Sequence, residues 1–145
     1  GPFFEVKRFQ EIERAIEENK TGIPGRGYLT GCGCYWEKIA VRADGVIIPC
    51  TLLPSAELGR INHDSLFKIW HHHPKLQEMR NWHQISLESF SFCKRCPYIP
   101  YCTGNCPAGA NAIFGSDCHP SLEGCYRRFL ADGGNLKRCI EADQT

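Results

Sequence analysis

Ten cysteines in 145 residues carry the chemistry of this sequence: Cys32, Cys34, Cys50, Cys93, Cys96, Cys102, Cys106, Cys118, Cys125 and Cys139. Four of them fall within fourteen residues, CKRCPYIPYCTGNC, from Cys93 to Cys106. Thiols at this density hold a metal, form disulfides, or join distant parts of the chain. A C-x2-C pair such as Cys93/Cys96 brings two thiolates onto one site from a single turn. Cys102 and Cys106 enclose three residues with Gly104 among them, so the backbone can bend close to a bulky ligand. Zinc ribbons usually supply two C-x2-C knuckles, and this run has one. The compact C-x2-C-x5-C-x3-C order favours iron–sulfur clusters, which take thiolates on several irons instead of one ion.

The elements that must position these thiols are short. Val6, Phe9, Ile12 and Ile16 recur at helical spacing among charged residues, predicting an amphipathic helix over residues 4–19 that ends near Lys20. The segment EKIAVRADGVIIPC places β-branched residues on both sides of Asp44-Gly45, predicting a hairpin with strands near 38–42 and 46–49. Asp64 or Asn62 is expected to cap a helix through SLFKIWHHH, with Leu66, Ile69 and Trp70 on one face. Pro74 interrupts that helix and suits the first turn of another, through Met79. Beyond Cys93 the chain reads as loop, with short helices near 107–113 and 121–130. The fold class is α+β, small and loop-rich: a β-hairpin and short helices around the cysteines, with a thin apolar core and the C-terminal half held by something other than burial.

Composition narrows the function. Seventeen basic residues face sixteen acidic ones, which gives no electrostatic case for nucleic acid or an anionic membrane. No apolar run reaches the length of a membrane span. The opening Gly-Pro reads as the residue of a protease cut.

The cysteine pattern resembles the SPASM domain, the auxiliary-cluster module of many radical SAM enzymes. CYWEKIAVRADGVIIPC runs from Cys34 through Gly45 to Cys50, with ten residues before the glycine and four after; counting from Cys32 gives twelve, which also fits. The run from Cys93 to Cys106 then matches position for position, Cys118 or Cys125 closes the motif, and LGRINHDSLFKIW is similar to a connecting segment of the family. The resemblance covers residues 28–130. It implies two interleaved [4Fe–4S] clusters: cluster I on Cys32, Cys34, Cys50 and Cys106, and cluster II on Cys93, Cys96, Cys102 and Cys125. Cys118 is the alternative last ligand, and the tight Cys32-x-Cys34 bite leaves open whether both ligate. By the same resemblance, residues 1–27 are a helix and linker following a radical SAM barrel, and 28–145 are the auxiliary domain.

The C-x3-C-x2-C motif of the SAM-cleaving cluster is absent from the sequence. The resemblance therefore implies a parent enzyme whose barrel holds S-adenosylmethionine and a third [4Fe–4S] cluster. That barrel forms a 5′-deoxyadenosyl radical and acts on a peptide or protein substrate, as in maturases of ribosomally made peptides. This chain has no catalytic residue of its own on that reading. Its clusters accept or relay the electron released in bond formation, or orient the substrate, in a reducing cytoplasm. Two other classes are weighed against it: a zinc- or cluster-stabilised structural module without a redox role, and a secreted disulfide domain.

The remaining residues take plainer roles. His71-His72-His73 points to different helix faces and reads as a polar segment. His119 reads as a surface residue, Cys139 as a free or core thiol, and Arg127-Arg128 and Lys137-Arg138 as solvated. Trp36, Phe92, Tyr98 and Tyr101 are expected to shield the clusters from water.

Overall fold

The computed structural model describes residues 2–138, so the Cys139 reading lies outside the described residues. Helix α1 (Pro2–Glu17) buries Phe9, Ile12 and Ala15, whereas Ile16 is left 41% exposed. It stops where the sequence expects. Asn19 turns left-handed at φ 57°. The Lys20 amide then donates to the Ala15 carbonyl and the Asn19 amide to Ile16, which satisfies the last turn.

The hairpin forms with strands β1 (Ala40–Val41) and β2 (Val46–Ile48) in antiparallel register, Val41 opposite Ile47. Gly45, at φ +85°, closes the turn by donating to the Arg42 carbonyl, a conformation open to glycine at little steric cost. A third strand, β3 (Gly59–Arg60), adds to the free edge of β2. Two residues carry no periodic signal, so β3 is invisible to sequence patterning. Gly59 packs closely there: a Cβ would stand 2.7 Å from the Ile69 terminal methyl, which would have to shift.

Helix α2 (Cys34–Glu37) is a single turn entered from left-handed Gly33. Helix α3 (Leu66–His72) is capped by Ser65, whose hydroxyl accepts from the Lys68 amide, and not by Asp64 or Asn62. Asp64 is otherwise engaged, accepting from the Arg60 amide at 2.8 Å. Of the expected apolar face, Ile69 is buried, whereas Leu66 is 44% exposed. Helix α4 (Pro74–Asn81) begins with Pro74 in its first turn and His73 as its cap, a structural use for one of the three histidines. Helices α5 (Pro107–Phe114) and α6 (Tyr126–Ala131) follow, the latter starting later than the sequence suggests.

Burial is more extensive than the sequence implies. One core gathers Tyr35, Ile47, Leu76, Met79 and Leu87, none with exposed surface. Arg80 lies within it, its guanidinium 4.6 Å from the Trp70 ring and 5.5 Å from Trp36, donating to the carbonyls of Tyr35 and Trp70. It thereby ties α2 to α3 and α4. A second core packs α1 onto the C-terminal half: Phe9 meets Tyr126 and Phe129 at ring distances of 5.2 and 4.7 Å. The Tyr126 hydroxyl donates to Glu13 at 2.9 Å. Each buried aromatic or aliphatic side chain contributes about 1.5–3 kcal/mol. Much of the missed burial comes from residues on short turns, such as Trp82 and Leu87, which show no helical or strand period.

Candidate cluster-binding sites

The loop from Cys93 to Cys106 is shaped by turns. The Cys96 amide donates to the Cys93 carbonyl, a one-turn bend that fits the C-x2-C spacing. A 3-10 turn over Ile99–Tyr101 delivers Cys102. Gly104 then turns left-handed at φ +81°, and its amide donates to the Cys102 sulfur at 3.3 Å. A Cβ at Gly104 would stand 2.7 Å from Leu29, so glycine is demanded by both conformation and space. Cys125 reaches the same place from the residue preceding α6.

Cys93, Cys96, Cys102 and Cys125 line one narrow cavity of about 30 Å³ that is partly open to solvent. Phe92, Tyr98 and Tyr101 stand on its wall, as the shielding role requires; Trp36, 53% exposed, lines the groove at Cys32 instead. Arg127 is also on the wall. It is half-buried, donates to the Phe92 carbonyl at 2.7 Å and lies over the Phe92 ring, so it is not the solvated charge that its neighbour Arg128 is. Burial, followed by the like charges of Cys102, Cys125 and Cys96, pushes the Cys93 thiol up to about 12. Burial pushes Cys102 up as well, partly offset by the Gly104 amide. Four ionised thiols cannot share such a space without compensating positive charge, which is what bound iron provides.

The second group spans the molecule. Backbone pairing brings its parts together: the Gly27 amide donates to the Cys102 carbonyl and the Gly31 amide to Thr103, both at 2.9 Å. Gly31 packs so closely on this segment that a Cβ would lie 3.2 Å from the Asn105 carbonyl oxygen and 3.3 Å from Pro107. Cys32 and Cys34 thus approach Cys106, which sits just before α5; Cys50, which follows the hairpin, is near enough for its charge to act on Cys34. The adjacent Cys34 thiol holds the Cys32 thiol down, to about 6, and Cys32 in turn pushes Cys34 up, with burial and the charges of Cys32, Cys50 and Cys106 adding to the rise. The Leu52 amide donates to the Cys50 sulfur at 3.5 Å. Cys32 is the exposed member, opening onto a groove with Lys7, Arg26 and Trp36.

Cys118 belongs to neither gathering. Its thiol is raised by burial and by Glu78 and Asp117, with Lys75 opposing, and it does not line the cavity. His119 is likewise elsewhere, its ring 4.1 Å from that of Phe114 and 5.3 Å from that of Phe90. All nine described cysteines are free of disulfides. Among the described residues, no three His, Cys, Asp or Glu groups converge tightly enough to hold one metal ion. Four thiolates on a single Zn²⁺ at about 2.3 Å stand within roughly 4 Å of one another. An iron–sulfur cube takes its thiolates on separate irons and needs a wider cage. The donor set fits the cube: all sulfur, with backbone amides directed at Cys50 and Cys102 and apolar walls around one group.

A small α+β domain with four thiols lining one apolar cavity has the donor set of cysteine-ligated cofactor domains. The family follows from comparison with known proteins. Residues 32–97 match the family model of SPASM, an iron-sulfur cluster-binding domain. The match takes in Cys32, Cys34, Cys50, Cys93 and Cys96; Cys102, Cys106 and Cys125 lie beyond it. No curated protein and no solved structure matches the chain. No helix among the described residues is long and apolar enough to cross a membrane.

The sequence missed the roles of Arg8 and Arg127. The only signal for either is its position beside an aromatic or a cysteine, Phe9 for Arg8 and Cys125 two residues before Arg127.

Proposed function

We propose that this chain is the auxiliary electron-transfer domain of a radical SAM enzyme that modifies a peptide or protein. Cys32, Cys34, Cys50 and Cys106 would hold one [4Fe–4S] cluster, and Cys93, Cys96, Cys102 and Cys125 a second. The observation that supports this reading is the match of residues 32–97 to an iron-sulfur cluster-binding family, in a chain where Cys93, Cys96, Cys102 and Cys125 line one cavity and the charges of Cys32, Cys50 and Cys106 act on Cys34. When bound, such clusters supply one-electron storage and transfer at potentials set by their surroundings.

The residues here serve that purpose in distinct ways. Phe92, Tyr98 and Tyr101 exclude water from the cavity, and the Gly104 and Leu52 amides stabilise negative charge on Cys102 and Cys50. Pairing of residues 27–31 with 102–103 joins the Cys32 segment to the Cys102–Cys106 segment, which supports neighbouring sites. S-adenosylmethionine cleavage, and the cluster that performs it, fall to a barrel domain of the same parent, which also presents the substrate.

Iron, acid-labile sulfide and zinc per chain, measured after anaerobic reconstitution together with the visible spectrum, test this reading. About eight irons and eight sulfides, with a broad band that bleaches on reduction, are expected. Zinc without sulfide would instead make the chain a structural module.

A further inference from the structure

Arg8 stands where the two gatherings meet. It rises from α1, outside the matched residues 32–97, and its guanidinium forks between them. Nη2 donates to the Gly31 carbonyl at 3.1 Å, the residue before Cys32. Nη1 donates to the Asn105 side-chain oxygen at 3.2 Å, the residue before Cys106. Asn105 is itself fixed: it is left-handed at φ 68°, buried, and donates to the Ser121 carbonyl. Arg8 also lines both spaces, the cavity of Cys93, Cys96, Cys102 and Cys125 and the groove at Cys32. Burial and then the neighbouring Arg26 cation disfavour its charge, while Cys102, Cys32 and Cys106 favour it. Those three thiols come from both gatherings. Arg127 faces the cavity alone, whereas Arg26 also lines both spaces, its Nη2 on Glu11 and its Nη1 on the Tyr101 carbonyl, each at 3.2 Å.

We propose that Arg8 is a positioning residue that raises the reduction potential of both cluster sites together, through one guanidinium fixed between them. The inference rests on the two-cluster reading. Adding one electron to either site adds one negative charge near a fixed positive charge in a partly dry setting, where Coulomb energies are larger than in water. The electron comes from an external low-potential reductant and no proton moves. A charge near only one site would bias transfer between the sites; a shared one lowers the energy of an electron on each and leaves the difference between them nearly unchanged.

The test is a redox titration of the reconstituted full chain, followed by low-temperature spin-resonance and visible absorption, with iron counted beforehand. In Arg8→Gln, both midpoints are expected to fall. The reduced-to-oxidised ratio of each site at fixed potential should drop about tenfold, equivalent to about 59 mV for a one-electron couple. Arg8→Lys, which keeps the charge and loses the fork, should hold both midpoints near wild type even if its thermal midpoint falls. Unchanged midpoints in a fully loaded Arg8→Gln, or a fall at one site alone, would overturn the proposal while the two-cluster reading stood. Fewer than about eight irons in the wild-type chain would overturn the reading itself. If Arg8→Gln does not load, Arg8→Met is titrated in its place. Failure of both to load while Arg8→Lys loads would replace potential tuning with a role in assembly.

Discussion

The two thiol gatherings are built in opposite ways. Cys93, Cys96 and Cys102 come from ten consecutive residues and need only Cys125 to complete the set around their cavity. Cys32, Cys34, Cys50 and Cys106 come from three separated segments, of which pairing of residues 27–31 with 102–103 joins the first to the last. The first is enclosed by aromatic rings; the second opens to solvent at Cys32. A local site depends on turn chemistry, whereas a distributed one depends on the whole fold. Cys106 joins them, because it lies in the loop of the first set and gathers with the second.

That contrast can be broken most forcefully at Cys106. Cys106→Ala should lower iron from about eight to about four per chain. It should also lose hydrogen-exchange protection in both residues 28–34 and 103–107. Cys125→Ala should lower iron to the same level with the 28–34 segment still protected. Equal protection in Cys106→Ala and wild type would mean that the two halves are held together without it.

Next in size is Gly104→Ala, which strains a left-handed residue and drives a methyl into Leu29 and Leu87. It should destabilise the chain by roughly 2–5 kcal/mol, read as a denaturation midpoint. Tyr126→Phe removes the hydroxyl that donates to Glu13 and so loosens α1 from the C-terminal half. A loss of about 1 kcal/mol is expected there, with iron content unchanged. The smallest effect belongs to Cys118→Ser. Its thiol lies near Lys75, Glu78 and Asp117, away from the cavity, so iron and sulfide should match wild type. Loss of iron in Cys118→Ser would move the last ligand from Cys125 to Cys118.

The same contrast explains what could be read from sequence. Spacing within a run reports turns, so the Cys93–Cys106 loop, the Asp44-Gly45 hairpin and the Pro74 start of α4 were legible. Pairings across the chain leave no local period. Strand β3 was missed because its two residues form a strand only against β2. Ser65 replaced Asp64 as the cap because the Arg60 amide, four residues back, had engaged the carboxylate. Arg8 and Arg127 looked like ordinary helix-surface charges, since what each one touches lies more than twenty residues away. The assignment of eight thiols to two sites came from resemblance to a family, and the interleaving it implies follows no rule of spacing.

The most direct test is iron and sulfide content in reconstituted wild type beside a Cys93→Ala/Cys96→Ala double variant. About eight irons in the wild type and about four in the variant, with the remaining cluster still reducible, are the predicted result. About four in the wild type, or none in the variant, would contradict two separately built sites.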